Sequence, residues 1–162
     1  MQDMCPRDIV GDYTEHRLRY FDGSQRTVLV SETETPYPEG RLIVSRTDLD
    51  GVLTHVNQSF VDMAGYTKQE LIGTPHSILR HPDMPRAAFA DLWQTVTAGK
   101  PWQGYVKNLR KDGGYYWVLA TVIPNVRQGR VVSYTSVRRK PSRGKVEEHT
   151  ALYRKLRMEE DQ

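Results

Sequence analysis

Three strand-like segments in the last third of the chain constrain its fold more than any other feature. Each is rich in aromatic and β-branched residues, and short turns at 111–114 and 127–129 separate them. The segments are WQGYVKNLR, YYWVLATVIP and VVSYTSVRR, which begin at Trp102, Tyr115 and Val131. This spacing predicts three consecutive antiparallel strands.

A strand pair and several helices are predicted before them. LIVSRTD and VLTHVN, joined by a tight turn at 48–51, predict a hairpin, while QSFVDMAGY and TKQELIG predict two short helices. Residues 85–98 predict a longer helix. Two strands, then helices, then three strands indicate an α+β domain, in which a five-stranded antiparallel sheet carries the helices on one face and a pocket opens between them.

Helix-capping residues support these boundaries. Asn57 precedes the first helix and is interpreted as its N-cap, and Thr67 with Glu70 forms a capping-box pattern at the second. Gly65 and Gly73 are expected to end the two helices. Asn57 is therefore kept out of the predicted pocket.

The two ends of the chain are predicted to lie outside this domain. Residues 1–40 form an extension whose short alternating run, 27–30, predicts one added strand or a segment that clasps a partner. A helix is expected from Ser142 to about Met158, and its narrow apolar stripe suits packing on another chain. The predicted division is an N-terminal extension at 1–40, a central domain at 41–140 and a C-terminal helix at 141–162.

Composition narrows the class of protein. The chain is 38% hydrophobic and 27% charged, and it has neither an apolar run long enough for a membrane span nor a secretory signal at its start. We expect a water-soluble, cytoplasmic protein. Its one cysteine, Cys5, excludes an internal disulfide and a cysteine-based zinc cluster.

A basic cluster near the end of the last predicted strand is interpreted as a solvated linker. It has no interleaved aromatic residues, so we expect no nucleic-acid binding. Its members are Arg138, Arg139, Lys140, Arg143 and Lys145.

Residues 75–104 indicate a binding pocket. They combine an Arg-His pair, a Pro-Asp-Met-Pro turn, Trp93 and Trp102, which together suit an anionic, aromatic ligand. A purely structural interpretation stays open, in which the tryptophans fill the core and His81 with Asp83 holds a loop or caps a helix.

The chain from Leu42 to about Leu156 resembles a PAS domain, and more closely the PAS sensor of bacterial aerotaxis receptors. The resemblance rests on HVNQSFVDMAGYTKQELIG, PHSILRHPDMPRAAFADLW, GKPWQGYVKN, YYWV and ALYRKL. It implies the PAS fold, non-covalently bound FAD and redox sensing for chemotaxis-type signal transduction. The implied partners are a signalling protein or a second copy of the chain. An aerotaxis receptor continues into a membrane anchor and a signalling coiled coil, so a chain ending at Gln162 is expected to act alone, to use a separate partner or to be a fragment.

The resemblance also implies a set of cofactor-binding residues. Chemically, Arg80 suits a phosphate or ribose oxygen, Trp102 offers an indole face and an N–H donor, and Asn108 suits the pyrimidine edge of a flavin. The full set is Arg80, His81, Asp83, Trp102 and Asn108. The chain departs from the family pattern at four positions, which are Ser77, Leu109, Leu119 and Thr121.

Other functions fit the sequence less well. Haem would need an axial histidine on the long helix, where none occurs, and a flavin-cysteine adduct would need a thiol nearer than Cys5. No nucleophile elbow, phosphate loop or metal-binding histidine pair is present, so we expect no enzyme. The main alternative is a cofactor-free PAS interaction or dimerisation module.

Overall fold

The computed structural model describes residues 1–162 and contains seven strands and four α-helices. The strands are β1 (Thr14–Arg19), β2 (Gln25–Val30), β3 (Ile43–Thr47), β4 (Leu53–Val56), β5 (Trp102–Leu109), β6 (Tyr115–Arg127) and β7 (Arg130–Arg139). The helices are α1 (Gln58–Ala64), α2 (Lys68–Leu71), α3 (Arg86–Thr97) and α4 (Arg143–Glu160), with short 3₁₀ turns at Pro6–Asp8 and His76–Leu79.

Five strands form one antiparallel sheet in the order β4-β3-β7-β6-β5. The last strand, β7, thus pairs with β3 of the β3–β4 hairpin and lies at the centre of the sheet, between β3 and β6. The predicted α+β architecture, a five-stranded antiparallel sheet with short helices on one face, is confirmed. Most of the apolar core lies between these helices and the sheet.

The helix boundaries follow from the predicted caps. The Asn57 side chain accepts a hydrogen bond from the Phe60 N–H at 3.0 Å and donates to the Leu42 carbonyl, so it ties α1 to the start of β3. Thr67 and Glu70 form the full capping box of α2. Gly65 ends α1 in the left-handed conformation, which favours glycine.

The N-terminal extension folds as a separate hairpin of β1 and β2 rather than as one added strand. It packs on its own domain through a second, smaller apolar cluster made of Met4, Val28, Leu29, Val30 and Leu109. The segment after β2 crosses the β5–β6 turn, where a Cβ on Gly114 would lie 2.9 Å from the Thr33 carbonyl oxygen. The Gly-Gly turn therefore makes room for the extension.

The C-terminal helix packs on the same domain, which differs from the interpretation that it leaves for another chain. Tyr153 stacks on Trp117 with ring centroids 6.1 Å apart, on the sheet face opposite to α3, and its hydroxyl donates to the Tyr105 carbonyl at 2.6 Å. At the far end, the Glu160 carboxylate accepts hydrogen bonds from the first backbone N–H groups of α3, at Arg86 and Ala87. The helix α4 thereby caps α3.

None of the helices combines the length and apolar character that a membrane crossing requires.

Candidate functional site

A cavity of about 510 Å³ lies between α3, the 3₁₀ turn at His76–Leu79 and the inner face of the sheet. Its size falls in the range of small-molecule sites in proteins. The floor comes from alternate residues of β5, β6 and β7, because every second side chain of a strand points to the same face. Of these, Ala120 has a small side chain and leaves space at the centre of the sheet.

Trp102 forms one wall of the cavity and is held from two sides. Its Nε1–H donates to the Asp91 carboxylate on α3 at 2.8 Å. Its ring lies across Gly104, where an added Cβ would be 2.4 Å from the indole. The Nε1–H that the sequence predicted as a donor to a ligand is therefore already bonded to Asp91. The indole ring is the part of Trp102 that can contact a ligand. In the sequence, the Trp-x-Gly spacing puts Trp102 and Gly104 on the same face of the strand, and this pattern indicates that the indole can lie over the glycine.

Asn108 and Arg80 meet at the cavity through a backbone bridge between the loop and β5. Asn108 is 2% exposed and its Nδ2 has no hydrogen-bond partner. The Nε of Arg80 is likewise buried without a partner, and its guanidinium lies 5.1 Å from the Phe89 ring centroid. Burial lowers the pKa of Arg80. Because buried polar groups are normally paired, these two donors indicate a polar ligand.

His81 and Asp83 lie outside the lining of the cavity. His81 is 1% exposed, and its Nδ1 accepts the Asp83 backbone N–H at 3.0 Å. The Asp83 carboxylate binds Lys107 at 2.8 Å. Burial lowers the pKa of His81, and the positive charge of Lys107 lowers it further. The two residues hold the loop that carries Arg80, and direct contact with a flavin stays a prediction for both.

The N-terminal hairpin also reaches the cavity, which the sequence did not indicate. Tyr20, Asp22 and Ser24, from the β1–β2 turn, line it. Tyr20 is 7% exposed and its hydroxyl has no hydrogen-bond partner. No local pattern places a terminal hairpin over a distant cavity, so this contribution could be found only from the structure.

Arg138 corrects the interpretation of the basic cluster. It is 2% exposed and lines the cavity, whereas that cluster was expected to be solvated. Its position two and four residues after Ser136 and Tyr134, which also line the cavity, puts the three on one strand face. The alternation along β7 was the signal for this placement.

The departures from the family pattern lie mostly away from the cavity. Ser77 lines it. Leu109 belongs to the smaller apolar cluster under the hairpin. Leu119 and Thr121 alternate with the cavity residue Ala120 and so point to the opposite face of the sheet. His, Cys, Asp and Glu side chains form no group of three that could hold a metal ion.

Comparisons with known proteins agree with this fold. Residues 53–138, more than half of the chain, match the PAS fold family. The chain is 46% identical over 127 residues to the aerotaxis receptor of Escherichia coli (strain K12), covering 78% of this chain and 25% of that protein. It is 28% identical over 106 residues to a nitrogen fixation regulatory protein of Klebsiella pneumoniae, covering 65% and 21%. The chain thus spans a quarter or less of these relatives.

Solved structures share the fold. The light-state structure of the blue-light photoreceptor Aureochrome1 LOV superposes with a TM-score of 0.60 at 23% identity, covering 66% of this chain and 90% of that one. A light-oxygen-voltage domain studied with a flavin analogue gives 0.59 at 23% identity, covering 67% and 82%. The match of residues 53–138 to the family model, together with the similarity to the aerotaxis receptor, establishes that the chain belongs to the PAS family.

Proposed function

We propose that the chain binds FAD non-covalently in the cavity and signals the redox state of its surroundings through protein contacts. The observation that carries the proposal is the unpaired, buried Nδ2 of Asn108 in a cavity that the indole of Trp102 also lines. An amide presents a donor and an acceptor side by side, as the pyrimidine edge of a flavin requires. The similarity to an aerotaxis receptor supports the same cofactor.

The cavity residues suit the different parts of such a ligand. Trp102, Trp93 and Phe89 provide apolar walls for a ring system. The buried, unpaired donors of Arg80 and Tyr20 suit the oxygen atoms of a ribityl or phosphate group. In this proposal His81 and Asp83 contribute by fixing the loop around Arg80, whether or not they touch the flavin.

A bound flavin supplies electron transfer, and its charge and hydrogen bonding change on reduction. The chain's part is to pass that change to its surface. Trp102 connects the cavity to α3 through Asp91, and α3 is capped by Glu160 of α4. We propose that a signalling protein or a second copy of the chain reads the resulting surface. The exposed apolar residues Val126 and Val132, at the end of the β6–β7 hairpin, support such a contact.

Two substitutions in the cavity test the proposal. We expect Trp102→Ala and Arg80→Ala to lower the flavin content per chain while the circular dichroism spectrum stays that of a folded domain. Trp117→Phe is the matched control, because Trp117 packs against Tyr153 on the other face of the sheet. Full flavin occupancy in both cavity variants would remove these residues from the site, and colourless wild-type protein that binds no added FAD would favour the cofactor-free module.

A further inference from the structure

Arg138 brings a positive charge to the inner wall of the cavity without an acidic partner. Its side chain is 2% exposed, and it takes part in none of the ion pairs of the molecule. Buried charges in proteins are normally paired, because an unpaired charge loses its hydration without compensation. Burial lowers the pKa of Arg138 to about 10, so the guanidinium is still charged at neutral pH.

The polar neighbours of this guanidinium are neutral. Nη1 donates to the Ser45 hydroxyl at 3.1 Å, and Nη2 donates to Nε2 of His76 at 2.6 Å. Since arginine only donates, Nε2 accepts and the ring proton must be on Nδ1. Burial, together with the charge of Arg138, lowers the pKa of His76 to about 3. The imidazole is therefore uncharged and does not act as an anion or a second cation.

The remaining directions around Arg138 are either closed or face the cavity. The ring of Phe60 covers one side, with its centroid 5.1 Å from the guanidinium carbon. Along the sheet, Arg138 is in register with Ala120, which is in register with Gly104. The indole of Trp102 covers Gly104, whereas the small side chain of Ala120 leaves the cavity open next to Arg138. A bound ring in the cavity is thus the group left to balance the charge.

We propose that Arg138 is the electrostatic partner of the flavin ring in its reduced, negatively charged form, an assignment that rests on the proposed function. When an external donor supplies two electrons and the ring takes up one proton, the neutral ring becomes a monoanion. A nearby cation in a low-dielectric site stabilises that anion more than the neutral oxidised ring. Arg138 therefore raises the reduction potential of the bound flavin.

The test measures the midpoint potential of the bound flavin by dithionite titration against a reference dye. Arg138→Met removes the charge and keeps an apolar side chain, and Ser45→Asp puts a carboxylate where a hydroxyl now accepts from Nη1. Ser45→Asn is the matched uncharged control. We expect the potential to fall in R138M and S45D and to stay unchanged in S45N. Each tenfold loss of preference for the reduced flavin corresponds to about 30 mV for two electrons.

The outcomes separate this assignment from the proposed function. Wild-type potentials in both R138M and S45D would overturn the role of Arg138 alone, whereas wild-type protein that binds no flavin would overturn the proposed function and this role with it. If R138M does not fold, Arg138→Gln decides, since its amide keeps a donor for the Ser45 hydroxyl and removes the charge. In flavin-free protein, S45D should also melt at a higher temperature than S45N, and a lower melting temperature would contradict an uncompensated charge at Arg138.

Discussion

At the scale of single residues, His81 couples the folding of the domain to pH. Its ring is buried and neutral in the folded chain, while in the unfolded chain it takes up a proton below its ordinary pKa of 6.5. The unfolded state then binds more protons, so the free energy of unfolding falls as the pH falls below that value. One proton contributes about 1.4 kcal/mol per pH unit.

We therefore predict that His81→Gln removes one histidine's share of this dependence, while His76, whose pKa is also lowered by burial, keeps its own share. Glutamine keeps an acceptor for the Asp83 N–H but has no proton to take up, so the slope between about pH 6 and pH 5 should drop by up to ~1.4 kcal/mol per unit. Urea unfolding at a series of pH values measures it. The exposed His55 provides the matched control, His55→Gln, which should keep the wild-type slope. An unchanged slope in H81Q would show that His81 is protonated equally in both states.

Residue patterns predicted the structure correctly where the interactions join residues that are close in sequence. The caps at Asn57 and Thr67 were predictable because each bonds to a backbone group three residues away. Arg138 was misinterpreted because its neighbours in sequence are exposed basic residues, and only the pairing of β7 at the centre of the sheet buries it. Its burial is a property of the sheet and not of the cluster.

At the scale of elements, the N-terminal hairpin is held over the cavity by Arg26. This side chain is 3% exposed and donates to the Gln2 carbonyl at 2.8 Å, the Ile78 carbonyl at 3.0 Å and the Tyr66 hydroxyl at 3.0 Å. It thus joins β2 both to the start of the chain and to the 3₁₀ turn that borders the cavity. Loss of these bonds would free the turn that carries Tyr20.

We predict that Arg26→Met destabilises the domain by about 3 kcal/mol, because it leaves buried acceptors unpaired. The hairpin amides should exchange hydrogen faster, and bound flavin should dissociate faster because its cover is loosened. Arg17→Met is the matched control on the same hairpin, where the exposed side chain bonds to Gln25 and Thr27 and forms a surface ion pair with Asp3. Equal flavin dissociation rates in R26M and wild type would show that the hairpin does not retain the ligand.

The elements of the central sheet could be predicted, while the packing of the two ends could not. Alternation and turn residues define β5, β6 and β7, and the order of elements leaves few ways to pair them. The positions of the β1–β2 hairpin and of α4 depend instead on contacts distant in sequence, such as Tyr153 with Trp117 and Arg26 with Ile78. Such contacts leave no periodic signal.

At the scale of the whole molecule, the domain combines a packed core with a hollow that its own side chains do not fill. Its fully buried residues include Phe60, Leu71 and Tyr116, whereas the cavity between α3 and the sheet stays open at about 510 Å³. An empty cavity lowers the free energy of unfolding, and unpaired polar atoms at its walls lower it further. A ligand that fills the space and pairs those atoms would recover both costs.

The most direct test of this account is the visible absorption spectrum of the freshly purified protein, followed by heat release and identification of the chromophore. We predict a yellow protein with the absorption bands of an oxidised flavin, and release of FAD at close to one per chain. A colourless protein that stays colourless after incubation with FAD, with a folded circular dichroism spectrum, would contradict the central claim.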